Sequence, residues 1–172
     1  MIRRYLSTFA FVFLASTLLA EEPKELMKAR TEYQHATPGE AARSAYVTQL
    51  TKLRDEFVHA NKTAAWQAID AEMIRNPVPK NADSKALSNL LIGQWKGAQH
   101  EYLYKKDGLW TMIPEGSGVL HGRWRIEGNQ IYSWLAFSRR RTTEPHTLIL
   151  LDGKNLVCAD KVSVFYETRV EK

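Results

Sequence analysis

Apolar positions change their spacing along this chain, and each change marks a different kind of segment. Phe9 to Ala15, continued by Leu18, Leu19 and Ala20, form an apolar run behind Arg3 and Arg4 and ahead of Glu21-Glu22-Pro23. That order of positive charge, apolar centre and small residue is a signal-peptide order, with cleavage expected after Ala20. Ser16 and Thr17 interrupt the run, whereas a spanning helix needs about 20 strongly apolar residues; retention as an uncleaved anchor is the alternative. A periplasmic or secreted location by the general secretory route follows, with no membrane span once the signal is removed.

From residue 21 to 75 the apolar residues recur at helical spacing. Thr37-Pro38-Gly39-Glu40 reads as a helix start, with Thr37 as cap, Pro38 in the first turn and Glu40 completing a capping box. Ala42, Tyr46, Leu50, Leu53, Phe57, Ala60 and Ala64 then make one stripe, with a bend or recap at Asn61-Lys62-Thr63 and an apolar continuation through Trp66, Ile69 and Met73. A shorter arm, Lys24 to Ala36, carries Leu26, Ala29 or Arg30, and Tyr33 on one face, so the pair reads as an antiparallel helical hairpin. Asn76-Pro77-Val78-Pro79 cannot extend a helix, and residues 76–89 read as a linker or collar.

Beyond residue 90 the period shifts toward two and turn residues recur, as in an antiparallel meander. The predicted strands are Gln94 to Tyr104, Leu109 to Ile113, Val119 to Glu127, Gln130 to Ser138, His146 to Leu151, Asn155 to Ala159 and Val162 to Val170. The fold class is therefore α+β, a helical hairpin followed by six or seven up-and-down strands. A two-residue loop at Gly128-Asn129 sets Glu127 opposite Gln130, hence Arg125 opposite Tyr132 and Arg123 opposite Trp134. Trp124, Ile126, Ile131, Leu135 and Phe137 then share the core face. The other face carries His121, Arg123, Arg125, Tyr132 and Trp134, a candidate ligand or partner surface because Trp, Tyr and Arg dominate binding hot spots. The plainer alternative is that the helices or a neighbouring loop cover it.

Charge adds little. The formal balance of +5 falls to +3 when Arg3 and Arg4 leave with the signal; the tight cluster Arg139-Arg140-Arg141 reads as a solvated loop, and no nucleic-acid partner is expected. The single cysteine, Cys158, forbids an internal disulfide. His35, His59, His100, His121 and His146 have no metal-ligand spacing, so no metal or cofactor is expected. Gly116-Ser117-Gly118 lacks the strand-turn-helix setting of a nucleophile elbow, and Glu101 with Glu115 has no spacing that marks a glycosidase pair. No catalytic residue is named.

Leu91-Ile92-Gly93-Gln94-Trp95-Lys96-Gly97, with Gly122-Arg123-Trp124 two strands later, resembles the glycine-x-tryptophan opening of lipocalin-like barrels. The chain as a whole, with Trp66-Gln67-Ala68-Ile69-Asp70-Ala71-Glu72 closing its helical part, also resembles uncharacterised exported bacterial proteins. The lipocalin resemblance implies that Trp95 closes one end of a barrel against a basic residue of the last strand, for which Arg169 stands in the right place. Seven strands leave open whether the barrel closes. Counting from Trp95 along one long strand turns Gly97, Gln99, Glu101 and Leu103 inward beside Trp124, with Gln99 and Glu101 either orienting a ligand or sitting at the rim.

These readings favour a non-catalytic interaction or structural protein of the cell envelope. Its hairpin stripe, coiled-coil-like and wider than the short arm can cover, would drive self-association or bind an envelope partner. The alternative is a carrier of a small apolar ligand in the barrel, which requires a lumen of at least about 300 Å³.

Overall fold

A computed structural model describes residues 22–116, 118–136, 145–161 and 163–171. The expected signal peptide, Ser117, Phe137 and the Arg139 to Arg141 run lie outside the described residues. Among the described residues four helices, α1 (Lys24–His35), α2 (Glu40–His59), α3 (Thr63–Ile74) and α4 (Ser84–Leu91), precede eight strands. The strands are β1 (Gly93–Lys96), β2 (His100–Tyr104), β3 (Leu109–Pro114), β4 (Leu120–Glu127), β5 (Gln130–Leu135), β6 (His146–Leu151), β7 (Asn155–Ala159) and β8 (Val164–Arg169). Each strand pairs antiparallel with its sequence neighbour, and β1 pairs with β8, Trp95 opposite Arg169, to close the barrel.

The eighth strand comes from splitting the predicted run Gln94 to Tyr104, which corrects the expected six or seven strands. Gly97-Ala98-Gln99 turns the chain back, with the Gly97 N–H donating to the His100 carbonyl at 2.9 Å. Trp95 thereby faces Tyr102 across β1–β2. Inward parity passes to Tyr102 and Tyr104, while Leu103 points outward. Glu101 leaves the interior to accept from Gln94 Nε2 at 2.9 Å and to lie 3.9 Å from Lys96 Nζ. Gln99 is exposed in the turn. The interior placement of Gln99 and Glu101 is therefore corrected.

Helix α2 begins later than predicted. Gly39 is its N-cap and no side chain caps it, so Thr37 and Pro38 lie ahead of the helix. Glu40 is engaged elsewhere: it holds the guanidinium of buried Arg43, with Arg43 Nε donating to Oε2 at 2.8 Å and a second, shorter contact to Oε1. Arg43 also donates to the Ile149 carbonyl at 2.6 Å and the Asn76 carbonyl at 3.0 Å. A buried guanidinium needs these acceptors more than an exposed helix end needs a cap. Asn61, in the left-handed region at φ 55°, ends α2 and turns the chain into α3. The expected two-armed hairpin is thus three helices.

Helices α1 to α3 pack on the outer face of β6–β8. Tyr46, Val47, Leu50 and Phe57 of α2 share one core with Leu26 and Ala29 of α1, Ile69 and Met73 of α3, and Ile149, Leu150, Val157 and Ala159 of the sheet. Two part-buried polar networks reinforce this packing, the first among α1, α2 and α3 and the second from α2 and α3 to β8. Glu72 accepts from Arg30 at 2.8 Å and from the Tyr46 hydroxyl at 2.9 Å; burial pushes its carboxyl up, but those hydrogen bonds hold it below the ordinary range. Asp70 takes Arg54 Nε at 2.8 Å and the Tyr166 hydroxyl at 2.6 Å.

The stretch read as a linker is stitched to the barrel. The Val78 N–H donates to the Leu148 carbonyl at 2.8 Å, and Asn129 Nδ2 donates to the Val78 carbonyl at 2.7 Å. It then forms α4, capped by the Asp83 side chain, whose Leu87 and Leu91 insert into the end of the barrel core.

Candidate functional site in the barrel lumen

One end of the barrel is sealed by side chains of β1, β8 and α4. The Trp95 indole N–H donates to the Leu91 carbonyl at 2.7 Å, and the Arg169 guanidinium lies over the ring, 4.4 Å from its centroid. Arg169 Nη1 donates to the Ile92 carbonyl at 2.9 Å and Nη2 to that of Leu90. One cation therefore covers the indole and satisfies the last carbonyls around α4, where positive charge is favoured.

Above this plug Trp110 and Trp124 line the wall with their N–H groups already engaged. Trp110 donates to the Arg123 carbonyl at 2.9 Å and Trp124 to the Leu109 carbonyl at 3.0 Å. Gly122 lets the Trp110 ring lie against the β4 backbone: a Cβ there would stand 2.4 Å from that ring. All three indoles serve the scaffold, and of them Trp110 alone lines the cavity, where it offers a ligand only its ring.

Toward the end that carries the β1–β2, β3–β4 and β7–β8 turns, the lumen opens into a cavity of about 320 Å³. Tyr102, Tyr104, Trp110, Met112 and Leu120 line one side, and Ile131, Ser133, Leu135, His146, Cys158, Phe165 and Glu167 the other, with His100 and Trp134 at the edge. His146 stands edge-on to Phe165 at 5.2 Å, and His100 to Tyr102 at 4.9 Å. Glu167 is 8% exposed, and its Oε2 has no hydrogen-bond partner. Burial alone lifts its carboxyl to about 7. Burial, reinforced by the nearby Glu167 charge, pushes the Tyr102 phenol up to about 12 and the Tyr104 phenol and Cys158 thiol upward as well. Burial holds His146 below its ordinary value.

The register deduced from the Gly128-Asn129 turn is the observed one, with Arg125 opposite Tyr132 and Arg123 opposite Trp134. Arg125 lies 4.9 Å from the Tyr132 ring centroid and 5.8 Å from that of Trp134, while its Nε contacts Glu127 at 2.8 Å. His121 Nδ1 sits 3.2 Å from Thr111 Oγ1. Arg123, Arg125 and His121 are exposed, because α1 to α3 cover β6–β8 instead.

Of the residues expected inside, Trp95 and Trp124 belong to the scaffold of the lumen. Tyr102, Tyr104, Trp110, His146, Phe165 and Glu167 were not anticipated. A signal for two of them was present: once Arg169 is set against Trp95, alternation along β8 places Glu167 and Phe165 on the same inner face. Among the described residues no group of three or more His, Cys, Asp or Glu side chains is arranged to hold a metal ion, and no helix is long and apolar enough to cross a membrane.

No family model matches the chain, and no curated protein does. Among solved structures, a lipocalin-like protein from Bacteroides uniformis ATCC 8492 aligns with a TM-score of 0.41 and 14% identity, covering 47% of this chain and 99% of that one.

Proposed function

We propose that this protein binds a small, largely apolar molecule in the barrel lumen, and that it does so outside the cytoplasm. The observation that carries the reading is the ring-lined cavity of about 320 Å³ above a sealed barrel end, within the size range of small-molecule sites. The competing association reading drew its support from a surplus apolar stripe on the long helix. Tyr46, Val47, Leu50 and Phe57 are instead buried within the chain. A partner surface keeps one supporting observation, the exposed Arg125 flanked by Tyr132 and Trp134. For the location, the support is the order of charge and apolar residues in residues 1–20.

Native mass spectrometry of the protein recovered from its own cells tests these points together. The expected species is a monomer lacking residues 1–20 and carrying one small molecule. Ser133→Phe, which places a ring in the cavity, should retain the fold by circular dichroism and lose that molecule. A ligand-free wild type that matches the variant would overturn the lumen reading. A dimer or a co-purifying protein would move the function to the Arg125 face.

A further inference from the structure

Among the described residues, the lumen contains one group left unmatched. Glu167 lines the cavity, is 8% exposed, and has an oxygen with no hydrogen-bond partner. A carboxylate in that position costs several kcal/mol unless a partner or a proton neutralises it. Among the described lining residues there is no Lys or Arg. The remaining ionisable ones are two histidines, two tyrosines and Cys158; His146 is held toward its neutral form and the phenols and thiol are held protonated. Among the described residues the cavity thus has one acid and no fixed positive charge. Around it stand aromatic faces. Phe165 lies two residues along the same strand, and Tyr102, Tyr104 and Trp110 face it from β2 and β3. Such faces carry the negative end of the ring quadrupole and attract cations.

We infer that the occupant of the lumen is a small organic amine, its hydrocarbon body among the rings and its protonated nitrogen on the Glu167 carboxylate. The inference rests on the lumen being the ligand site and adds the ligand's class. A fatty acid or other carboxylate has the wrong sign, since it would set a second acid beside Glu167 with no Lys or Arg among the described lining residues to bridge them. A neutral apolar molecule would leave Glu167 as unpartnered as before. An ammonium group supplies the missing charge-assisted hydrogen bond and places positive charge against the ring faces.

Isothermal titration calorimetry with defined probes decides the matter. The probes are 2-phenylethylamine and tryptamine, their neutral counterparts 2-phenylethanol and indole-3-ethanol, and the anion 3-phenylpropanoate. The proteins are wild type, Glu167→Gln and Ser133→Phe. For wild type, the amines should bind at least about tenfold more tightly than the alcohols, since only they form the charged pair, and the anion should not bind. Glu167→Gln should erase that preference while keeping the alcohols, and Ser133→Phe should weaken every probe. Equal binding of amines and alcohols by wild type, or a preference that survives in Glu167→Gln, overturns the amine assignment and leaves the lumen reading in place. No binding of any probe to folded wild type overturns both. The amine-against-alcohol comparison in wild type needs no variant to fold.

Discussion

Glu167 makes the barrel's stability depend on pH in a direction opposite to that of most acids. Burial raises its carboxyl from the ordinary 4.5 to about 7, so the folded chain binds that proton more tightly than the unfolded one. Its contribution is complete below about pH 4.5 and is lost as the pH rises through 7, by on the order of 3 kcal/mol. His146 and Glu72, both held below their ordinary values, act the other way and lose their contribution as the pH falls. The difference between wild type and Glu167→Gln isolates the one group. Urea midpoints at pH 5 and pH 8 should show the variant gaining on wild type by that amount at the higher pH. A difference that stays constant with pH would mean that Glu167 keeps water or a partner in solution.

At the scale of elements, α4 and the ends of β1 and β8 form one device. Arg169→Ala removes two hydrogen bonds to carbonyls around α4 and the cation over Trp95. The expected loss is about 1 to 3 kcal/mol by denaturant unfolding, with a changed near-ultraviolet signal from the uncovered indole. Arg169→Lys should recover only part of it, because an ammonium cannot fork between Leu90 and Ile92 while stacking. The Trp95–Arg169 juxtaposition was legible from the resemblance, and the β4–β5 register from the two-residue turn, since so short a loop admits one pairing. The β1–β2 turn was not, because Gly97-Ala98-Gln99 interrupts a run whose apolar and aromatic residues read as one strand. Prolines 77 and 79 hid α4, although Asp83 with Leu87 and Leu91 four apart is a capped helical pattern. The destination of the helical stripe went unread, although it was written in the strands. The continuous runs Leu148 to Leu151 and Leu156 to Ala159 do carry that message, since a strand apolar on both faces has something packed on each side.

For the whole molecule, the consequence is that two cores lie back to back across the same strands. Leu148, Leu151, Leu156 and Cys158 belong to the lumen side, and Ile149, Leu150, Val157 and Ala159 to the helical side. Helices and barrel should therefore melt as one unit. Leu50→Ala, in the fully buried helical core, is expected to cost about 2 to 5 kcal/mol. Its midpoint should shift equally whether followed by helical circular dichroism or by the fluorescence of Trp95, Trp110 and Trp124. Separate transitions would show that the barrel stands without its helical layer.

The pairing of Lys96 with Thr168 also sets a timetable. Every other seam of the barrel joins strands adjacent in sequence, whereas this one must wait for all eight to be laid down, and closing so long a loop is slow. Helices α1 to α3 emerge first but find their apolar support only when β6–β8 arrive. A chain delivered from its N-terminal end therefore holds exposed apolar surface until nearly the last strand is in hand. In refolding, helical signal should return ahead of the Trp95 environment, and the lumen should acquire its floor last.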